Sequence, residues 1–476
     1  MHGKFVRSLN YFVLIISLAL IGCLVFKDLN WVLGDDDLFL RTTMMGRPVG
    51  AHSGQFWSLG LWDYSVLLLL PKTIGQTIEA HFAYNIIIMT VAVFTLYHLF
   101  NKIDEKNYSL SLFFILNLFC VSSFLQIHMN CIYPERMMFL MQVLFMYFWL
   151  KGYKNNSTEF YLLSWFFCTY LIFSKEPIFG AVLVIALTNL ILGWNQLTIR
   201  DRLFHFLLIV SALTCLGIHI CENSEKNLIK GSDLIFSQGV DSLNVIKTIF
   251  IGEPILGLVF LFALIRAYFV FVKFDRRTLF IDSLLFGSAA YAIIYIILAE
   301  TDSSCVFPSL IFAFPSFVFW TDYLWNENKF FSLFVVLLCG GTAYVSCNIS
   351  KDLIENTYKL RNGDMKVVDF ITDSYINGKY VYFFTNDKPL SQFKIGANHG
   401  NVWEFDVFTY FTNYILKKKN YLRDKNVIRP LEKLEYVFDD SIVICPAEMD
   451  QKYKDYLESR EFKLIYSVLN TEIYGQ

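Results

Sequence analysis

Three consecutive carboxylates, Asp35, Asp36 and Asp37, are the strongest candidate for chemistry in this sequence. They follow the first apolar segment, and Arg41 comes four positions after the last of them. Like charges beside a membrane are costly unless a metal ion, a nearby cation or a protonated substrate group offsets them. One carboxylate could also act as a general base toward an attacking sugar or lipid hydroxyl. A hydrated acidic loop, with Arg41 pairing an aspartate, is the competing interpretation.

Two further polar segments carry adjacent charges of opposite sign. Glu135 and Arg136 follow a proline, and Lys175 and Glu176 lie between apolar residues on both sides. Ionisable groups at a membrane boundary are candidates for function. The alternative is a structural turn in which Lys175 and Glu176 pair with each other. Glu253, which precedes a proline, is a weaker candidate of the same kind.

The composition is that of a membrane protein. Of the 476 residues, 55% are hydrophobic and only 17% are charged, and the mean hydropathy is +0.46. A soluble domain would be about 25% charged. The net charge of −2 gives no general attraction to nucleic acid. The sequence contains no HExxH, GxSxG, P-loop or dinucleotide-binding motif, which argues against ATP-driven transport or soluble-type hydrolysis by this chain.

Apolar segments of about 18 residues recur along the chain, and each is long enough to cross a bilayer as a helix. Lysine and arginine cluster in alternate loops, which places the N-terminus inside and, with an odd number of spans, the C-terminal tail outside. The interrupted stretch 59–71 is interpreted as an interfacial segment. The sequence thus predicts a polytopic α-helical protein with about 11 transmembrane helices, at 9–26, 81–100, 109–127, 137–151, 159–174, 178–194, 203–221, 251–272, 279–299, 307–325 and 330–347.

The transmembrane domain is expected to cover residues 1–347, and the tail, 348–476, has a different composition. It is rich in lysine, aspartate, asparagine and tyrosine. Helix-like stretches lie near 404–419 and 450–460. Alternating strands and helices favour a small α/β domain. The predicted strands are 380–384, 441–445 and 462–468.

The whole layout resembles the GT-C superfamily of membrane glycosyltransferases. Those proteins have an N-terminus-inside first helix, an acidic pair in a long first outer loop, and often an outer C-terminal domain. The run from Gly34 to Asp37 matches the position and type of that acidic motif. The size and the outer tail resemble bacterial Gtr-type O-antigen glucosyltransferases.

The resemblance implies an inverting hexosyltransferase that moves a single sugar, with glucose expected. The donor would be a polyprenyl-phosphate sugar. The acceptor would be a glycan such as lipopolysaccharide O-antigen, modified at the outer face. The expected location is the bacterial inner membrane, with the N-terminus cytoplasmic and the C-terminal domain periplasmic.

The resemblance also implies roles for the candidate residues. Asp36 is the expected general base, with Asp35 or Asp37 as the alternative. No metal ligand set is assigned, although a divalent cation at these aspartates is possible. Arg136 and Lys175 would stabilise the donor phosphate, and their acidic neighbours would orient them or bind sugar hydroxyls. The donor phosphate and sugar site is thus expected to comprise Arg41, Glu135, Arg136, Lys175 and Glu176.

Two other functions fit parts of this pattern. A transporter or flippase for a lipid-linked glycan would need ionisable residues deep inside its spans, whereas these charges cluster at one surface. An O-antigen polymerase usually has larger loops between its middle spans than the segment 222–245 found here.

Overall fold

The structure is a computed structural model. It describes residues 2–27, 29, 63–71, 74, 77–103, 108–130, 133–175, 177–224, 242–276, 278–298, 303–384, 409, 412–413, 415–416, 419, 427–431, 433–446, 449–468 and 471–476.

Helices form most of the described part of the chain. A 3-10 helix, Asp63–Leu69, lies within the stretch predicted to be interfacial, and a π-helical segment, Tyr268–Val272, extends one of the α-helices. In chain order the α-helices are α1 His2–Phe26, α2 Ile78–Ile103, α3 Tyr108–Cys120, α4 Ser122–Met129, α5 Glu135–Asn155, α6 Thr158–Ile172, α7 Ile178–Gly193, α8 Ile199–Ser224, α9 Ser242–Gly252, α10 Ile255–Ala267, α11 Leu279–Ile297, α12 Ser303–Glu327, α13 Lys329–Ile376 and α14 Gln451–Ser459.

The predicted polytopic architecture is confirmed. The expected spans fall mostly on helices, although 109–127 is broken at residue 121 and 251–272 at residues 253–254. By length and composition, seven of the described helices can cross a membrane. An eighth span results if α3 and α4, which meet at an angle of 64°, count as one. Helix α7 is apolar but shorter. The chain is therefore a multi-pass membrane protein.

Helix α12 lies at the centre of the bundle, since 94% of its most apolar 18-residue segment is buried. It contains Pro308 and Pro315, and the Gln142 side chain donates a 2.7 Å hydrogen bond to the Pro308 carbonyl group. Such side-chain bonds satisfy buried polar backbone in a membrane protein. Ser288 and Ser309 each donate to the other's carbonyl group, at 2.7 and 2.9 Å. Small serine side chains thus let α11 and α12 approach closely.

Helix α13 runs from Lys329 to Ile376, through the predicted end of the last span at residue 347. Its 48 residues correspond to about 72 Å at 1.5 Å per residue, more than twice the thickness of the hydrocarbon layer. Its apolar part is Lys329–Lys359. The remainder continues beyond a bilayer's width and leads directly into the tail.

The tail contains the small α/β domain that the sequence predicts. Its five-stranded sheet consists of β1 Tyr380–Phe384, β2 Ile428–Leu431, β3 Ser441–Pro446, β4 Lys463–Val468 and β5 Thr471–Gly475, in the order β2-β1-β3-β5-β4. Strands β1, β2 and β3 are parallel, and β5 pairs antiparallel with β3 and β4. The three predicted strands are present, whereas β2 and β5 were not predicted. The predicted helix at 404–419 lies mostly outside the described residues.

Candidate functional site at one end of the helix bundle

Contacts between helix ends place the end of α1, the starts of α2 and α5, the end of α4 and the turn between α6 and α7 at one end of the bundle. We call it the site end. It is marked by Lys27, Asp63, Met129, Glu135 and Lys175. Every described residue of the predicted site lies here, as the predicted topology requires.

Asp63 and Arg136 form a buried ion pair at the site end. Arg136 Nη1 lies 2.7 Å from Asp63 Oδ2, and Nη2 lies 3.1 Å from Oδ1. The side chains are 0% and 3% exposed. This two-bond geometry matches the planar guanidinium to the carboxylate and fixes both groups in direction.

Aromatic and amide side chains surround the Arg136–Asp63 pair. The guanidinium carbon of Arg136 lies 3.8 Å from the ring centroid of Tyr64. The hydroxyl group of Tyr64 donates a 2.6 Å hydrogen bond to Asn85 in α2. The ring of His81 packs against Tyr64 at 5.2 Å. The 3-10 helix that carries Asp63 and Tyr64 is thereby held against both α2 and α5.

A second buried pair joins Lys175 to Glu135. The Lys175 ammonium group contacts Glu135 Oε1, and it lies 3.2 Å from Cys305 Sγ and 5.4 Å from the ring centroid of Tyr295. Glu135 is fully buried, whereas the Lys175 side chain is 19% exposed. Glu135 Oε2 has no hydrogen-bond partner among the described residues. Lys175 is thus the cation through which an incoming anion could contact this pair.

Both ion pairs depend on the first turn of α5. Pro134 precedes the helix in helical geometry, and Glu135 and Arg136 are its first two residues. Proline is favoured at a helix start because it has no N–H to leave unpaired. Acidic side chains in the first turn are also stabilised by the helix dipole. Adjacent side chains on this turn diverge, so Glu135 and Arg136 bind partners from different parts of the chain.

Arg361, on the extended part of α13, joins the ends of two other helices, α1 and α4, at the site end. Its Nη1 donates to the carbonyl groups of Val25 and Lys27 at 3.1 and 3.4 Å, and its Nη2 donates to that of Met129. Arg361 is fully buried. The end of α1 is therefore fixed at the same end as Glu135 and Arg136.

Glu253 is fully buried, and its carboxylate stabilises another helix. Its Oε1 accepts hydrogen bonds from the Ser122 hydroxyl group at 2.6 Å and from the Ser123 backbone N–H at 2.5 Å. An anion at a helix N-terminus satisfies N–H groups that have no intrahelical partner. Glu253 thus stabilises the start of α4, where the span bends.

Several predicted site residues lie outside the described part of the chain: Asp35, Asp36, Asp37, Arg41 and Glu176. Within the described residues, no group of three histidine, cysteine, aspartate or glutamate side chains could hold a metal ion. The structure does place both flanks of the first loop at the site end. Lys27 precedes the aspartates and Asp63 follows them, and both are fixed by hydrogen bonds from arginine.

Sequence reasoning missed two residues of this end. Asp63 is the residue that interrupts the apolar stretch 59–71. An acid in such a stretch needs a partner, and that is the available signal. Arg361 was assigned to the tail, because the span was expected to end at residue 347. Its helix contains other charged residues, so composition alone did not distinguish it.

No protein-family model matches this chain, and no curated protein sequence matches it. Its fold is similar to the crystal structure of ArnT from Cupriavidus metallidurans in the apo state. The TM-score is 0.51 and the identity 11%, over 98% of each chain. The two chains share a fold. A second solved structure is the Archaeoglobus fulgidus oligosaccharyltransferase complex with Zn and sulfate. It aligns with a TM-score of 0.47 and 10% identity, over 96% of this chain and 73% of that one. The helical membrane fold with a small C-terminal domain, as predicted, is confirmed by the described residues and by the likeness to ArnT.

Proposed function

We propose that this chain is an inverting glycosyltransferase. It transfers a single sugar, with glucose expected, from a polyprenyl-phosphate donor to a glycan acceptor such as lipopolysaccharide O-antigen. The reaction takes place at the site end, which faces the periplasm of a bacterial inner membrane. The GT-C-like fold supports this proposal, as does the resemblance of the Gly34–Asp37 run to the superfamily's acidic motif.

One observation carries the proposal: the described residues on either side of the aspartate-containing loop lie at the same end of the bundle as two buried ion pairs. Lys27 and Asp63 flank that loop. Arg136 and Glu135 occupy consecutive positions at the start of α5, and Lys175 contacts Glu135. On this proposal, the carboxylate base and the cations for phosphate act at the same end of the bundle. The lipid tail of the donor would remain in the bilayer beside them.

The proposed reaction is a single displacement. The acceptor hydroxyl oxygen attacks the anomeric carbon while the bond from that carbon to the phosphate oxygen breaks. Asp36 takes the hydroxyl proton as general base, and polyprenyl phosphate leaves with the bonding electron pair. One displacement inverts the configuration at the anomeric carbon. Asp35 and Asp37 are the alternative bases.

The two described cations are not equivalent in this reaction. Lys175 is partly exposed, and its charge can stabilise the phosphate as negative charge develops on it. Arg136 is fully buried and held by Asp63, so it contacts phosphate only by giving up part of that pair. Glu135 orients Lys175. Arg41 and Glu176 complete the proposed donor site.

The test uses the purified full-length protein with labelled polyprenyl-phosphate glucose and O-antigen acceptor. Asp36→Asn is expected to lower transfer by about 10²–10⁴-fold, the range for loss of a general base. Asp352→Asn, an exposed carboxylate on α13, is the control and should retain wild-type transfer. Full activity of Asp35→Asn, Asp36→Asn and Asp37→Asn alike would overturn the proposal. If a divalent cation bridges these aspartates, EDTA abolishes transfer and added Mg²⁺ restores it.

The product mass separates this function from its two rivals. A transferase adds one sugar to each repeat unit, and a polymerase changes the number of repeats. A flippase moves labelled donor between leaflets without forming a new glycosidic bond. Donor movement without product in sealed vesicles would therefore favour transport.

A further inference from the structure

A cavity of about 230 Å³ lies at the end of the bundle opposite the site end. The ends of α2, α5 and α7 and the starts of α8 and α11 contribute to its lining. Its volume is slightly below the range of small-molecule pockets, about 300–1,000 Å³. It thus suits a headgroup rather than a whole lipid. We call it the basic cavity.

Three side chains with permanent positive charge line the basic cavity: Lys102, Lys154 and Arg276. No aspartate or glutamate is among its described lining residues. The Lys154 ammonium group donates a 2.7 Å hydrogen bond to the Lys102 carbonyl group, which brings two of the cations to one edge. Arg276 Nη1 donates to the Leu192 carbonyl group at 3.1 Å, and its buried Nε has no hydrogen-bond partner among the described residues.

The acidic side chains that lie nearby in the described structure already have other partners. Asp282 is held by Arg266 at 2.8 Å, and Asp275 lies 3.6 Å from the same guanidinium group. Asp201 accepts hydrogen bonds from Tyr161 and from Thr198. The positive charge of the basic cavity is therefore not offset by these groups.

The inner wall of the basic cavity combines a buried polar group with apolar surface. His205 is 1% exposed, and its Nδ1 has no hydrogen-bond partner among the described residues. Its ring packs against Trp149 at 5.4 Å, and Trp149 packs against Phe280 at 4.3 Å. A buried nitrogen atom without a partner favours a ligand or water in contact with it. The aromatic wall would cover the apolar part of such a ligand.

We propose that the basic cavity binds a phosphate group, supplied by the headgroup of an anionic membrane lipid. Basic pockets between membrane helices bind anionic headgroups because several cations share one phosphate while the acyl chains stay in the bilayer. The lysine and arginine bias of the loops predicts that this end faces the cytoplasm, where anionic lipids attract such clusters. Free inorganic phosphate has the same charged group but lacks the acyl chains of a lipid. This site does not depend on the proposed transferase activity.

Lipid binding to the purified full-length protein in detergent tests the proposal. Native mass spectrometry and thermal melting would compare phosphatidylglycerol, phosphatidylcholine and inorganic phosphate. The variant Lys102→Gln/Lys154→Gln removes two cations of the basic cavity. Lys273→Gln is the matched control, since Lys273 lies at the same end and does not line the cavity.

Phosphatidylglycerol is expected to bind the wild type and the control and to raise their melting temperature. The double variant should bind it about 25-fold more weakly, since each lysine near an anionic surface contributes about fivefold in affinity. Inorganic phosphate that displaces phosphatidylglycerol from the wild type but not from the double variant would show that the cavity recognises phosphate, and that a soluble phosphate can supply it. Equal binding of phosphatidylcholine, or equal phosphatidylglycerol binding by the double variant, would overturn the proposal. Melting each variant without lipid separates loss of binding from loss of folding.

Discussion

The guanidinium group of Arg136 holds the carboxylate of Asp63 through two hydrogen bonds, although the two residues are 73 positions apart. Both groups are buried, so neither finds water as a substitute partner. The pair joins the segment that follows the first loop to the start of α5. It therefore fixes where that loop ends, relative to the other charged groups of the site end.

Removal of one member of this pair is expected to destabilise the protein strongly. Asp63→Asn should cost about 3–5 kcal/mol, because it leaves a buried guanidinium group without its counter-ion. Thermal melting in detergent measures the effect, and a double-mutant cycle with Arg136→Gln isolates the interaction. Lys351 and Glu355 form the control, since this exposed pair at 4.0 Å should contribute about 0–0.5 kcal/mol. Equal effects of the two pairs would contradict the structural role.

Substitution of Lys175 separates its proposed role in stabilising the donor phosphate from its role in folding. Lys175→Gln should lower kcat/KM for the donor by about 10²–10³-fold, the range for loss of one transition-state donor. It should also destabilise the protein, because Glu135 then lacks its cation. Glu135→Gln/Lys175→Gln should recover much of the stability and none of the activity. Wild-type turnover in the double variant would exclude Lys175 from the chemistry.

Substitution of Arg361 tests whether α13 positions the first loop. Arg361→Met leaves the carbonyl groups of Val25, Lys27 and Met129 without this donor, at about 1–3 kcal/mol for each group that stays buried and unpaired. Both melting temperature and transfer rate should fall. Lys359→Gln, an exposed change on the same helix, is the control and should alter neither. Unchanged transfer in Arg361→Met would show that the end of α1 is held by other contacts.

The acceptor role of Glu253 predicts different effects for two substitutions. Glu253→Gln keeps a carbonyl oxygen that accepts from Ser122 and Ser123, so the melting temperature should change little. Glu253→Ala removes the acceptor and should cost about 1–3 kcal/mol. Both are measured by thermal melting. If the two variants melt alike, the hydrogen bonds to Ser122 and Ser123 do not stabilise the bend.

The C-terminal domain should lose stability in mild acid through Glu472. Burial tends to raise the pKa of this carboxyl group, but hydrogen bonds from Lys454 at 2.9 Å and Tyr474 at 2.7 Å leave it below its ordinary value of 4.5. A pKa lower in the folded than in the unfolded state stabilises the fold above the unfolded pKa. That stability is lost as the pH falls through the folded value. Protection of the β5 amides, corrected for the intrinsic pH dependence of exchange, should fall below about pH 4.5 in the wild type and less so in Glu472→Gln.

Hydropathy and charge bias were sufficient to predict the membrane part of the fold. Most residues of the expected spans are helical, because the length and composition of such a segment are properties of that segment alone. Residue 347 shows the limit of this reasoning. Nothing in the local composition requires the helix to stop, and α13 continues to Ile376. The strands β2 and β5 were missed because short strands take their stability from pairing with neighbours, as Ile428 does with Val381.

The sequence by itself determined that Glu135, Arg136 and Lys175 would lie at one end of the bundle, because the alternation of helices leaves no other choice. Only the tertiary structure decided which groups meet there. Lys175 contacts Glu135, 40 positions earlier, and Arg136 pairs with Asp63, 73 positions earlier. A buried ion pair forms where helix packing brings two groups within bonding distance, and that distance depends on every helix between them.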